Sequence, residues 1–119
     1  MITGIHAIMY ANDAEATRKF FAETLGLSSV DAGGGWPIFA LPPAELGVHP
    51  TDEAGGKHEI YLLCDDLHKT IDDLKKKGVE FTGPVREQEW GSLTTLVVPG
   101  GGNLHLYQPK HPTALGLER

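Results

Sequence analysis

One cysteine, few basic residues and no long apolar run mark this chain, and each scarcity removes a class of protein. Cys64 is the single cysteine, so no internal disulfide forms. It lies among Ile60, Leu62 and Leu63 and reads as a packed strand residue rather than a nucleophile. Ten Lys and Arg stand against sixteen Asp and Glu, a formal net charge of -6, and the ten are scattered. No basic stripe is left to follow a phosphate backbone, so nucleic acid is not the expected partner. No stretch approaches the roughly 20 apolar residues of a membrane span, and the opening MITGIHAIMY has no basic n-region. A cytoplasmic protein without a membrane partner is the expectation.

What is present fits one small globular domain. The 119 residues are 40% hydrophobic and 22% charged, with Leu, Val and Ile spread along the chain. GIHAIMYAND alternates like a half-buried strand and runs into a cap signal, Asn12 followed by Glu15. DAEATRKFFAETL then sets Thr17, Phe20, Phe21 and Leu25 on one helical stripe that stops at Gly26. Three extended stretches follow, LSSVDA, WPIFAL and AELGVH, separated by Gly33-Gly34-Gly35 and Pro42-Pro43. A second strand, HEIYLLC, meets Asp65-Asp66. The helix after it carries Leu67, Ile71 and Leu74, has Lys75 to Lys77 in its last turn, and stops at Gly78. VEFTG, SLTTLVV and NLHLYQ are again extended. Both triple-glycine runs read as turns, because neither joins a strand to a helix N-terminus as a phosphate loop would.

The order strand, helix, three strands therefore occurs twice, in a first module over about residues 1–50 and a second over about 57–109. Such a doubled βαβββ unit resembles the vicinal oxygen chelate superfamily of glyoxalases, bleomycin-resistance proteins and extradiol dioxygenases. Three stretches carry the resemblance in the family's order: ITGIHAIMYANDAEATRKFFAETLGL, HEIYLLCDDL and EWGSLTTLVVPGGGNLHLYQP. It implies an α+β fold, a single domain over residues 1–119, in which two βαβββ modules curl into half-barrels around a cleft. It also implies a divalent metal in that cleft, with ligands from the first and last strand of each module, and a homodimer.

Carried over residue by residue, the resemblance points to His6, His49, Glu59 and His105. His6 precedes Asp13 by the family's spacing and shares its strand face with Ile8 and Tyr10. In ELGVH the polar face holds both Glu45 and His49. The resemblance favours a Glu on this strand, whereas His49 sits at the strand end before Pro50; both remain candidates, with His49 preferred. Glu59 has the same spacing to Asp66 that His6 has to Asp13, and its parity matches Tyr61 and Leu63. His58 would replace it if the register slipped by one. His105 stands where most catalytic relatives have a Glu. Three imidazoles and a carboxylate suit Zn, Ni, Fe or Co better than Mg.

Two functions follow from the resemblance. One is a metal-dependent lyase, isomerase or ring-cleaving enzyme, in which the metal polarises neighbouring oxygens of a small organic substrate and Glu59 shuttles a proton. The other is a binding protein of the bleomycin-resistance type that sequesters a small molecule, such as an antibiotic, without chemistry. Trp36, Trp90 and Arg86 are candidates for the cleft wall, in loops at residues 30–37 and 84–91; His68 and His111 receive no role.

Overall fold

The protein was analysed as a computed structural model that describes residues 6–48, 50–52, 54 and 58–117. Both helices begin at an aspartate. Asp13 Oδ1 accepts the Ala16 amide at 3.0 Å ahead of α1 (Ala14–Lys19), which widens into a π-helical turn, Phe20–Thr24. Asp66 Oδ1 accepts the Lys69 amide at 3.1 Å ahead of α2 (Leu67–Lys76). A carboxylate there satisfies an amide that has no partner within the helix and faces the positive end of the dipole. Each helix is followed by a glycine in the left-handed region, Gly26 at φ 70° and Gly78 at φ 86°. Lys77 Nζ reaches the Thr24 carbonyl at 3.2 Å and ties the end of α2 to the π-helical turn.

The strands divide between two sheets. In the first half β1 (Ser29–Asp31) and β2 (Pro37–Phe39) form an antiparallel pair around the glycine turn. In the second half β3 (Tyr61–Leu63), β4 (Arg86–Gln88), β5 (Gly91–Val98) and β6 (Gly102–Pro109) form one sheet in the order β3-β6-β5-β4. Here β6 runs antiparallel to β5 and parallel to β3. Three sequence expectations shift. The stretch VEFTG contributes a bridge, Phe81 to Leu96, and two backbone bonds along β5, while the strand forms further on at Arg86–Gln88. Residues 6–12 and 40–48 carry no strand, because no ladder partner lies beside them among the described residues.

Alternation on the long hairpin decides where the core lies. Leu96, Val98, Leu104 and Leu106 share the sheet face that meets Leu67, Ile71 and Leu74 of α2, and Phe20 joins the same cluster. The N-terminus of α2 is fixed to this sheet by the Leu67 amide, which donates to Gln108 Oε1 at 2.8 Å. Helix α1 is fixed by the turn between β5 and β6. Thr17 Oγ1 donates to the Pro99 carbonyl at 2.7 Å, and a Cβ on Gly100 would lie 2.4 Å from the Asp13 carbonyl oxygen. A glycine there lets the turn touch the helix. Cys64 is half-buried against the Tyr107 carbonyl, and burial pushes its thiol pKa up, which keeps it protonated and inert.

Asp66→Ala removes a cap without touching the core and should cost about 1 kcal/mol, a drop of roughly 4 °C in thermal midpoint. Leu96→Ala should cost about 2–5 kcal/mol, since Leu96 is fully buried. Calorimetric melts of the two variants beside the parent check both the values and their order.

Candidate functional site

The far face of the second sheet, away from α2, gathers the polar and aromatic side chains. Its register sets Tyr61 of β3 and Thr95 of β5 on either side of His105 of β6. The Tyr61 ring stacks on the imidazole at a centroid distance of 4.7 Å and an interplanar angle of 24°. Thr95 Oγ1 lies 3.1 Å from His105 Nδ1, so the other ring nitrogen, Nε2, is the one turned toward Glu59, at 3.9 Å from its Oε2. The Tyr61 hydroxyl donates to the same carboxylate oxygen at 3.5 Å.

Next along β6, Tyr107 meets Tyr61 edge-on at 5.7 Å and Trp90 at 5.3 Å. Its hydroxyl bonds the Trp90 carbonyl at 3.2 Å and pairs closely with His111 Nε2. Burial raises the pKa of both tyrosines above the usual 10.0. The negative charge of Glu59 adds to this for Tyr61, and that of Glu45 for Tyr107.

His105 and Glu59 form a half-exposed pair, with 31% and 53% of their side-chain surfaces accessible. Solvent screens such a pair, so it contributes little to stability. Imidazole and carboxylate suit Zn, Ni, Fe and Co. With bonds of about 2.0–2.2 Å, one ion can touch both atoms across the 3.9 Å gap. Thr95 on Nδ1 would then be the outer partner that holds the ring.

His6 and His58 are exposed, and His49 falls outside the described residues. Glu45 Oε2 accepts the Ala114 amide at 2.7 Å and so holds the C-terminal tail. Among the described residues no three His, Cys, Asp or Glu side chains gather as a metal-binding group. The sequence reading passed over Tyr61, Thr95, Tyr107 and His111. Parity already sets Tyr61 with Glu59 and Tyr107 with His105, Thr95 reaches His105 only through the β5–β6 register, and His111 follows the end of β6, where alternation gives no signal.

Comparison with known proteins places this geometry in a family. The Glyoxalase/Bleomycin resistance protein/Dioxygenase superfamily profile matches residues 4–106, and the chain belongs to that superfamily. The uncharacterized protein YetH of Bacillus subtilis (strain 168) is 27% identical in an alignment 96 positions long that covers 71% of this chain and 80% of YetH. TnmS3, an antibiotic binding protein from Streptomyces sp. CB03234, is similar in structure, with a TM-score of 0.65, 24% identity, and coverage of 92% of this chain and 98% of that one. Lactoylglutathione lyase from Agrobacterium tumefaciens superposes with a TM-score of 0.58 at 15% identity, covering 89% of this chain and 96% of the lyase. The α+β fold is therefore the glyoxalase fold, on which both a binding protein and a lyase occur.

The Tyr107 ring owes its place to a missing side chain: a Cβ on Gly91 would lie 2.2 Å from Tyr107 Cε2 and 2.6 Å from the Gln108 carbonyl oxygen. Gly91→Ala should push Tyr107 off Trp90, costing about 1–3 kcal/mol and changing the near-ultraviolet circular dichroism of the aromatic row.

Proposed function

We propose that this protein binds a small, flat organic molecule against the far face of the second sheet. The observation that carries the reading is the row His105, Tyr61, Tyr107, in which an imidazole and two phenol rings lie within 4.7 Å and 5.7 Å of one another, with Trp90 beside the last. Tyr61 and Trp90 stay partly exposed and offer rigid contact surface, Tyr107 is buried behind them, and Glu59 and His105 supply hydrogen-bonding groups at one end. The fold is shared with an antibiotic binding protein, which accords with a ligand of this kind. The 119 residues act as one domain of two modules, residues 1–50 and 57–109.

A second reading, a metal-dependent lyase, isomerase or dioxygenase, is favoured by the 3.9 Å spacing of His105 Nε2 and Glu59 Oε2. His105 and Glu59 would hold the ion, with His6 and His49 as the other donors. A bound Zn, Ni, Fe or Co ion would supply Lewis-acid polarisation of the ligand's oxygens. Glu59 would exchange a proton with the bound molecule, and Thr95 would keep the His105 ring in place.

The readings separate by calorimetric titration with 2-naphthol, with and without added Zn. For the binder, affinity is the same in chelator-treated protein, and Tyr61→Ala weakens it by about 3–10-fold, the value of one ring pair. For the enzyme, the protein retains close to one metal ion per chain, lost in His105→Ala and Glu59→Gln. Undiminished 2-naphthol binding by Tyr61→Ala rules out the aromatic row as the binding surface.

The first half carries most of the exposed large apolar side chains, among them Ile8, Tyr10, Val30, Leu41, Leu46 and Val48. A second copy of the chain is the proposed cover, since water-exposed surface of this kind marks association sites. Sedimentation should give a dimer, and Leu46→Asp should shift it toward monomer. No helix among the described residues is long and apolar enough to cross a membrane.

A further inference from the structure

Tyr107 carries the buried phenol of the aromatic row, with 7% of its surface accessible. Its hydroxyl faces a base: His111, at the start of the C-terminal tail, pairs closely with it through Nε2, and the two rings lie 5.8 Å apart. The other ring nitrogen fixes the direction of that bond. Nδ1 lies 2.7 Å from the Pro112 carbonyl, which can only accept, so in the neutral ring the hydrogen sits on Nδ1 and Nε2 keeps a lone pair. The phenol therefore donates to His111, with the Trp90 carbonyl at 3.2 Å as a second acceptor. The tail is held on both sides of the histidine. Before it the Lys110 amide bonds the Trp90 carbonyl at 2.9 Å, and after it the Ala114 amide bonds Glu45 Oε2 at 2.7 Å.

A buried phenol with a base on its oxygen has a chemistry that an exposed one lacks. Loss of an electron makes the phenol proton strongly acidic, and a positive charge left on a buried ring is costly. A base already in contact removes both obstacles. A route for the electron is also present. Trp90, 44% exposed, meets Tyr107 edge-on at 5.3 Å, and Tyr61 meets it at 5.7 Å on the side of His105. From this arrangement we infer that Tyr107 and His111 form a proton-coupled redox pair, and that Trp90 links it to one-electron oxidants in solution. Trp90 gives one electron to the oxidant, an organic radical or a high-potential metal complex, and takes one from Tyr107. The Tyr107 O–H bond breaks as its proton forms an N–H bond at His111 Nε2. What remains is a neutral tyrosyl radical beside an imidazolium, whose charge is offset by Glu45, a carboxylate whose field already acts on the phenol. Return of one electron restores the phenol as the proton moves back. His111 holds no ligand in this role, since both its nitrogens are used inside the chain, and the inference stands apart from the reading of the far face as a binding surface.

The test is flash photolysis of the full chain with tris(bipyridine)ruthenium(II) and persulfate, which together generate a ruthenium(III) oxidant. Transient absorption and electron paramagnetic resonance read the radical. A Tyr10→Phe, Trp36→Phe double variant serves as the parent, because both side chains are exposed and compete for the oxidant. It should form a tyrosyl radical that is lost in Tyr107→Phe. His111→Ala should slow its formation by about tenfold to a hundredfold, the value of one charge-assisted hydrogen bond. Added imidazole should restore part of that rate, which separates proton acceptance from a loss of structure. Trp90→Phe should also slow the oxidation, and an unchanged rate there overturns the link through Trp90. The redox pair itself is overturned by a radical that survives Tyr107→Phe undiminished, by a His111→Ala rate equal to the parent's, or by a loss that imidazole does not relieve. Near-ultraviolet circular dichroism of each variant confirms that the sheet is intact.

Discussion

Strict alternation along β6, held in register by a partner on each side, is the constraint on which this structure depends. Leu104 and Leu106 enter the core beneath α2, and the same backbone geometry turns His105 and Tyr107 to the other face. A slip by one residue would put an imidazole into the core and a leucine beside Glu59. The buried leucines thus fix the address of the site residues as firmly as contacts among those residues do. Parallel pairing with β3 then sets Tyr61 opposite His105 and brings Glu59 within reach of its Nε2.

The parts of this design legible in the sequence are those with a strong local signal. The cap expected at Asn12 is made one residue later by Asp13, Asp66 of the Asp65-Asp66 pair caps the second helix, and Gly26 and Gly78 end the two, because caps and left-handed residues act within a few positions. SLTTLVV and NLHLYQ also lie within β5 and β6. Arg86–Gln88 was not legible. Arg-Glu-Gln carries no apolar pattern, all three residues are exposed, and the strand exists through its pairing with Gly91, Ser92 and Leu93. The converse holds at residues 6–10, where an alternating apolar pattern has no ladder partner among the described residues and forms no strand. A strand is a property of two segments, and one segment reports only half of it.

Site legibility divides in the same way. The family resemblance points to Glu59 and His105, parity sets both on the polar face of their strands, and the two side chains meet. Glu45 and His49 share a face by parity, and only three-dimensional contact shows Glu45 engaged with the tail. The carboxylate of Glu59 is not sealed away. It is half-exposed, shared between the Tyr61 hydroxyl and the His105 ring, and so avoids the desolvation cost that full burial without a partner would impose. Function on this fold lies in such side chains rather than in the sheet that carries them, as the likeness to both a lyase and an antibiotic binding protein illustrates.

The pairing of β3 with β6 also has an entropic consequence. Thr95 and His105 are 10 residues apart and come together when one hairpin zips, whereas the contact of Cys64 with Tyr107 spans 43 residues and requires a long loop to close. Closing the short hairpin costs less chain entropy than closing the longer loop. The imidazole thus reaches its threonine through a local turn and its carboxylate only through a contact that joins distant parts of the chain.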